Sequence, residues 1–230
     1  MLKNIFTIII ITVLSLSFSS CGQKLNYNQI DYGYKVKYQN IGIEIGKIAY
    51  IDEGSGEQTL LFIHGIGNYL KYFKHQISFF KKHFRVIALD MPGYGKSTFK
   101  KEIPYSYKLH SKSIIAFAKK LNLKNLIVLG HSYGGMVTTE IASRNELDIK
   151  KIVLLAPGGL QKFKQKDIKL FFRVINENSV VHVNRVKKGY STRMIANETE
   201  TTDKFLDELL ALIRSGAYQS TYITRTRALL

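Results

Sequence analysis

Four short runs of apolar residues recur along the middle of the chain without the alternation of a half-buried strand. They are TLLFIHG (59–65), FRVIALD (84–90), NLIVLGH (125–131) and KIVLLAP (151–157). Uninterrupted apolar runs of this length are typical of strands covered on both faces. Three segments with helical periodicity separate them, at about 68–82, 106–121 and 133–145, and Ser106 is a helix-capping residue. This alternation predicts an α/β fold, a mostly parallel sheet with helices on both faces.

The segments that flank this core have different patterns. Residues 26–52 alternate polar and apolar positions, which predicts two or three antiparallel strands with turns near Asn40 and Gly46. After Pro157 no buried-strand run returns, and residues 160–230 have the periodicity of helices.

The first twenty residues form a separate unit, which we predict to be a signal peptide. Lys3 precedes an apolar stretch from Ile5 to Phe18, and two serines then lead to Cys21. This is shorter than a membrane-spanning helix of about 20 apolar residues and has the flanks of a secretory signal. Its end resembles a bacterial lipoprotein signal, although Phe18 replaces the usual leucine.

Cys21 is the only cysteine, so it has no partner for an internal disulfide. We therefore expect lipidation of Cys21 and an exported protein anchored to a membrane of the bacterial cell envelope. A plain signal peptide with secretion to the periplasm, or an uncleaved anchor, are the alternatives.

The formal net charge of +17 raises the question of an anionic partner. The basic residues are scattered among aromatic residues at helical spacing, and no zinc-ligand spacing or RNA-binding strand motif is present. The sequence GKS at 95–97 resembles the end of a phosphate-binding loop, but Asp90 stands where that motif requires glycine. We expect a lysine-rich solvated surface, with no nucleic acid, cofactor or metal.

Candidate chemistry is concentrated in IVLGHSYGGM (127–136), where a Gly-x-Ser-x-Gly pattern joins a predicted strand to a predicted helix. In that context the turn projects Ser132 above the sheet as a nucleophile. Larger residues two positions away would collide, which explains Gly130 and Gly134. The backbone N–H of Tyr133, at the start of the helix, is placed to stabilise an oxyanion.

A second glycine-rich turn follows the first buried strand, at His64-Gly65-Ile66-Gly67. It lets a backbone N–H, most plausibly that of Ile66, act as the second oxyanion donor. We interpret His64 as a structural residue that shapes the turn.

The motifs LLFIHGIG, FRVIALDMPGYGKS, NLIVLGHSYGGM and KIVLLAPGG, in this order, resemble the α/β-hydrolase superfamily over about Tyr34 to Gly159. The resemblance is greatest to the cap-bearing group that includes esterases, epoxide and haloalkane hydrolases and carbon–carbon bond hydrolases. It implies Ser132 as nucleophile, Asp90 as a structural loop residue and a His131 that points away from the site. A serine argues against the epoxide hydrolases and haloalkane dehalogenases, which use aspartate.

The resemblance divides the chain into a signal peptide (1–20), the N-terminal part of a hydrolase core (21–159) and a helical cap region (160–230). It also implies an acid and then a histidine after the nucleophile. His182 is the only histidine beyond Ser132, and we expect it to be a cap residue. The carboxylates Asp167, Asp203 and Asp207 fit a solvated surface.

We therefore predict that the triad acid and histidine are missing, that the last core strands are absent, and that this chain is an incomplete or inactive fragment. KIVLLAP would then be a sheet edge despite the composition of a buried strand. The predicted function is that of a serine hydrolase acting on an ester, thioester or similar carbonyl of a small, apolar substrate. The alternatives are a non-catalytic envelope lipoprotein that binds a small apolar ligand between core and cap, and a decayed gene product.

Overall fold

The computed structural model describes residues 29–160 together with Lys204, Asp207, Glu208 and Ala211. The strands are β1 (Lys37–Asn40), β2 (Lys47–Glu53), β3 (Thr59–Ile63), β4 (Arg85–Leu89), β5 (Leu126–His131) and β6 (Ile149–Leu155). The helices are α1 (Lys74–Phe80), α2 (Tyr107–Lys120) and α3 (Tyr133–Ser143), and a 3₁₀ turn (Leu70–Phe73) precedes α1. None of the helices in the described part of the chain has the length and apolar character needed to cross a bilayer.

The six strands form one sheet in the order β1-β2-β4-β3-β5-β6. Strands β4, β3, β5 and β6 run parallel, whereas β2 is antiparallel to β4 and β1 is antiparallel to β2. The predicted fold class, a mostly parallel sheet with helices, is confirmed. Because the carboxyl ends of parallel strands meet at one edge, the loops after β3, β4 and β5 lie close together there.

Each face of the sheet is covered by its own apolar cluster. On one face α2 and α3 contribute Ile114, Phe117 and Val137, all fully buried. On the other face the segment that includes α1 contributes Phe73 and Ile77. The inward alternation of the strands supplies both clusters, so apolar runs without alternation are what a doubly covered sheet requires.

One predicted helix start differs from the structure, whereas the predicted N-terminal strands and the Ser106 cap agree with it. The helix expected from residue 68 becomes an α-helix only at Lys74, because Tyr69 is extended and the N–H of Leu70 is bonded to the Asp90 carboxylate at 2.7 Å. In the described part of the N-terminal region two strands form, β1 and β2, joined by a turn closed by the Ile41 N–H to Gly46 carbonyl bond. Ser106 caps α2 as predicted, since its hydroxyl accepts the Leu109 N–H at 3.2 Å.

Strand β6 differs from the others in its surroundings. Within the described residues it pairs only with β5. Ile152, Val153 and Leu155 expose 42%, 37% and 40% of their surface, although an apolar strand is expected to be buried.

The predicted signal peptide (1–20), the predicted lipidation site Cys21 and the histidine His182 lie outside the described residues. So does the predicted cap region (160–230), except for Leu160 and four helical residues, Lys204, Asp207, Glu208 and Ala211. Of these, Asp207 is exposed, as expected from its helical pattern.

Candidate active site

Ser132 occupies a strained turn between β5 and α3. Its φ of 52° and ψ of −117° fall in a region that residues other than glycine rarely adopt. Such a conformation costs about 1–3 kcal/mol and persists only where the surroundings impose it. Here the Ser132 N–H donates to the Leu155 carbonyl at 2.9 Å, and the Ser132 carbonyl accepts the Gly158 N–H at 2.8 Å. The end of β6 and the residues after it thus bond both the N–H and the carbonyl of Ser132.

Glycines two residues before and after Ser132 make this turn possible. A Cβ atom on Gly134 would lie 2.5 Å from the His64 carbonyl oxygen and would collide with the Ile63 carbonyl oxygen. A Cβ on Gly130 would collide with the Gly134 carbonyl oxygen and the Thr138 hydroxyl. The predicted steric reason for both glycines is therefore present in the structure.

The turn after β3, His64 to Gly67, packs directly against Ser132. A Cβ on Gly65 would lie 3.0 Å from the His131 Nδ1 and 3.2 Å from the Cβ of Ser132, so a larger residue would require these side chains to move. The N–H of Ile66 makes no hydrogen bond with any residue in 29–160. The Tyr133 N–H is in the first turn of α3, where helical N–H groups point out of the helix. The structure thus brings the two predicted oxyanion segments to one place.

His64 is a structural part of the loop. Its ring is fully buried, and its Nε2 accepts the Met91 N–H at 3.1 Å. Its Nδ1–H therefore donates to the Gly65 carbonyl at 2.8 Å. With both ring nitrogens bonded to the backbone, His64 joins the loops after β3 and β4.

His131, the residue before Ser132, lies against Tyr72 rather than over the serine. The two rings stack with centroids 4.8 Å apart, and the Tyr72 hydroxyl is 3.5 Å from the His131 Nε2. Burial lowers the pKa of His131, so the ring is neutral at pH 7. Tyr72 was not predicted from the sequence, because its partner is 59 residues away.

Tyr133 is anchored below the site by a second contact that the sequence pattern did not predict. The Nε2–H of His110 donates to the Pro92 carbonyl at 3.1 Å, which leaves its Nδ1 to accept the Tyr133 hydroxyl at 2.8 Å. His110 is fully buried on α2. A histidine on the apolar face of a predicted helix was the only signal for this link.

Asp90 organises the loop after β4 from a fully buried position. Its carboxylate accepts the N–H groups of Leu70 (2.7 Å) and Lys96 (2.8 Å) and the hydroxyl of Tyr32 (2.8 Å). Burial raises the pKa of Asp90 to about 6, and these donated hydrogen bonds oppose the rise. Lys96 and Ser97 bond the Ile30 and Asp90 carbonyls, so the GKS segment serves the loop's own structure.

The Ser132 hydroxyl makes no hydrogen bond with any described side chain. The five described histidines are therefore not bonded to it, and the remaining histidine, His182, lies outside the described residues. Among these residues the site contains a candidate nucleophile and candidate oxyanion donors without a general base.

A model of the alpha/beta hydrolase fold family matches residues 58–178, more than half of the 230-residue chain. The chain therefore belongs to the alpha/beta hydrolase fold family. The match includes the loop after β3 and the serine turn.

Two relatives named as hydrolases are similar to part of the chain. It is 33% identical over 110 residues to (E)-2-((N-methylformamido)methylene)succinate hydrolase of Acinetobacter baylyi, which covers 46% of this chain and 40% of that protein. It is 30% identical over 110 residues to the uncharacterised hydrolase YugF of Bacillus subtilis, covering 48% and 40%. This chain thus spans two fifths of the length of these two relatives.

A solved structure shows the same fold. The bromoperoxidase from Bacillus anthracis has a TM-score of 0.71 to this chain at 21% identity, covering 85% of this chain and 74% of that one. At this identity the likeness concerns the fold alone.

Proposed function

We propose that the protein is a serine hydrolase in which Ser132 attacks the carbonyl carbon of an ester, thioester or similar small, apolar substrate. The observation that carries the proposal is the forced geometry of Ser132. A non-glycine residue at positive φ is held between two steric glycines and against the loop that contains Ile66. Strain of this kind is concentrated at functional positions. Family membership and the hydrolases among the relatives support the same reaction class.

The proposed reaction has two stages. The Ser132 oxygen bonds to the carbonyl carbon while its proton passes to a base, and the negative charge develops on the carbonyl oxygen. The N–H groups of Ile66 and Tyr133 donate to that oxygen, which is where electrostatic stabilisation is most effective. Collapse expels the alcohol or thiol and leaves an acyl-serine, which water then hydrolyses to a carboxylic acid.

The described residues do not include the general base that this mechanism requires. The Ser132 proton requires an acceptor, and we propose that the acceptor is a histidine other than the five described ones. Loss of the histidine from such a site typically lowers the rate by several orders of magnitude. Because we expect His182 to be a cap residue, we expect slow reaction of Ser132 when no base is added.

Added imidazole tests the nucleophile without the native base. We expect slow labelling of the chain by a fluorophosphonate probe, a rate that rises with imidazole concentration, and no labelling of Ser132→Ala. Equal labelling of the parent and Ser132→Ala, or no Ser132-dependent labelling of the folded parent either with or without imidazole, would contradict the proposal.

His182→Ala is the second variant in the same assay. Fast labelling of the parent without imidazole, lost in His182→Ala, would identify His182 as the base and overturn its assignment to the cap. Equal rates in the parent and in His182→Ala would support a base elsewhere.

We also propose export and lipid anchoring at Cys21, on the basis of the signal-like segment before it. Two chains of acyl lipid would hold the protein at a membrane surface. Intact-mass measurement after expression in a bacterium would show a shortened, lipidated N-terminus in the parent. An unmodified Cys21 in the parent, or the same membrane fraction for Cys21→Ser, would contradict anchoring.

A further inference from the structure

A buried ion pair joins the C-terminal part of the chain to the turn that follows the candidate oxyanion loop. The Glu208 carboxylate accepts bonds from the Lys71 Nζ at 2.7 and 2.8 Å and from the Tyr69 hydroxyl at 2.7 Å. Glu208 is 3% exposed and Tyr69 is fully buried. Lys71 also donates to the Asp31 carbonyl at 2.6 Å, so its ammonium group is shared by two segments.

The residues that bind Glu208 are close in sequence to the proposed oxyanion loop. Tyr69 and Lys71 come directly after the loop that carries Ile66. The residue between them, Leu70, donates its N–H to Asp90. Two buried carboxylates, Asp90 just after β4 and Glu208, therefore hold the same short turn. A shift of this turn would shift the proposed oxyanion donor.

The helical residues around Glu208 fit a packed helix face. Glu208 and Ala211, three positions apart, are both buried, and Ala211 belongs to the apolar cluster on the α1 face of the sheet. Lys204 and Asp207 are exposed. Glu208 therefore lies against the core, whereas its neighbour Asp207 faces solvent.

We propose that Glu208 is a positioning residue for the oxyanion loop: it fixes Tyr69 and Lys71, and through them the backbone of Ile66. The effect on catalysis rests on the proposed function of Ser132, whereas the docking of Glu208 on the turn does not. Burying a carboxylate is costly unless it is paired and bonded, and here both conditions are met. Without Glu208, the partly buried Lys71 ammonium group would lose its counter-charge and the turn would rearrange.

Carbodiimide cross-linking tests the docking directly. The reagent joins an amine and a carboxylate in contact as an amide, and it takes up the released water as a urea. We expect a Lys71–Glu208 link in the peptide mass map of the full chain, absent in Lys71→Met and in Glu208→Gln. A folded parent without this link would overturn the proposal, whatever the reactivity of Ser132.

Labelling rates test the positioning role. The rate constant for fluorophosphonate labelling with imidazole is measured at a temperature where circular dichroism shows each variant folded. We expect about a tenfold to hundredfold loss in Glu208→Ala, because small displacements of a catalytic group have effects of that size. Glu208→Gln, which keeps an oxygen acceptor, should recover part of the rate. Asp207→Ala, the exposed neighbour, should stay within about twofold.

A purely structural role would lower the folded fraction without changing the rate constant of the folded molecules. A folded Glu208→Ala variant that labels at the parent rate would therefore contradict the positioning role. If the parent itself shows no Ser132-dependent labelling, the proposed function fails, and the cross-link alone decides whether Glu208 docks on the turn.

Discussion

Strands β5 and β6 are parallel neighbours that each contain a run of four apolar residues, yet the surroundings of the two runs differ. β5 is paired on both sides, by β3 and β6, and its Val128 is fully buried. In the described part of the chain β6 is paired on one side only, and Val153 is 37% exposed. An apolar run thus predicts a strand, but the number of neighbours decides how much of that strand is buried.

The difference also separates the roles of the two strands in the site. β5 ends in the strained serine, so its position is fixed by sterically required glycines. The end of β6 supports the same turn through backbone bonds from Leu155 and Gly158, where side-chain identity matters less. The interior of the sheet should therefore be sensitive to substitution, and its β6 side tolerant.

The largest expected effect comes from filling the space at the interior turn. Gly134→Val would place side-chain atoms against the Ile63 and His64 carbonyl oxygens. We expect a loss of more than about 4 kcal/mol in the free energy of unfolding, since backbone cannot yield as a side chain can. Chemical denaturation measures it. The control is Gly158→Ala at the end of β6, whose Cβ would have its nearest neighbour at 3.6 Å. Equal losses of unfolding free energy in Gly134→Val and Gly158→Ala would contradict the distinction between a sensitive interior turn and a tolerant β6 side.

The second largest expected effect is on the pH dependence of stability, to which the buried Asp90 after β4 contributes. Burial raises the pKa of Asp90 from 3.8 to about 6 in the folded protein. The folded state then binds more protons than the unfolded state between these values, so stability falls as pH rises from about 4 to 6. The loss approaches about 3 kcal/mol above pH 6.

Asp90→Asn cannot titrate and is the comparison for this effect. Denaturation at several pH values should show the parent losing stability relative to Asp90→Asn as pH rises through this window. Asp148, an exposed carboxylate just before β6, has its pKa lowered by Lys150 and should contribute the opposite sign. Parallel pH profiles for the parent and Asp90→Asn would contradict the raised pKa.

The smallest predicted effect compares the same substitution on the two strands. Val128→Ala removes fully buried methyl groups from β5 and should cost about 2 kcal/mol. Val153→Ala, on β6, should cost less than about 1 kcal/mol. Both lose the same intrinsic strand preference, so the difference reports burial. Equal costs would show that β6 is covered in solution.

Much of the fold followed from local pattern. The apolar runs of β3, β4 and β5 and the Ser106 cap depend on near neighbours in the chain, and the structure confirms these elements. The glycines around Ser132 were recognised from their spacing, although the atoms that exclude a side chain at Gly134 are the distant Ile63 and His64 carbonyl oxygens. The start of α1 was wrong by several residues, because a distant carboxylate, Asp90, captures the N–H of Leu70.

The contacts that sequence reasoning missed all join distant residues. Tyr72 meets His131, His110 meets Tyr133, and Glu208 meets Lys71 across 137 positions. None of these pairs has a periodic signature, because each depends on how the loops converge at the carboxyl edge of the sheet. The roles of Ser132, Ile66 and Tyr133 stay predictions.

The central claim is that Ser132 is a nucleophile, and the most direct test is the site of acylation by an activated ester. We expect incubation with p-nitrophenyl acetate and imidazole to add one acetyl group to the peptide that contains Ser132, mapped by mass spectrometry. That adduct should be absent in Ser132→Ala. Acetylation of surface lysines at equal extent in both proteins, with an unmodified Ser132 in the folded parent, would contradict the account.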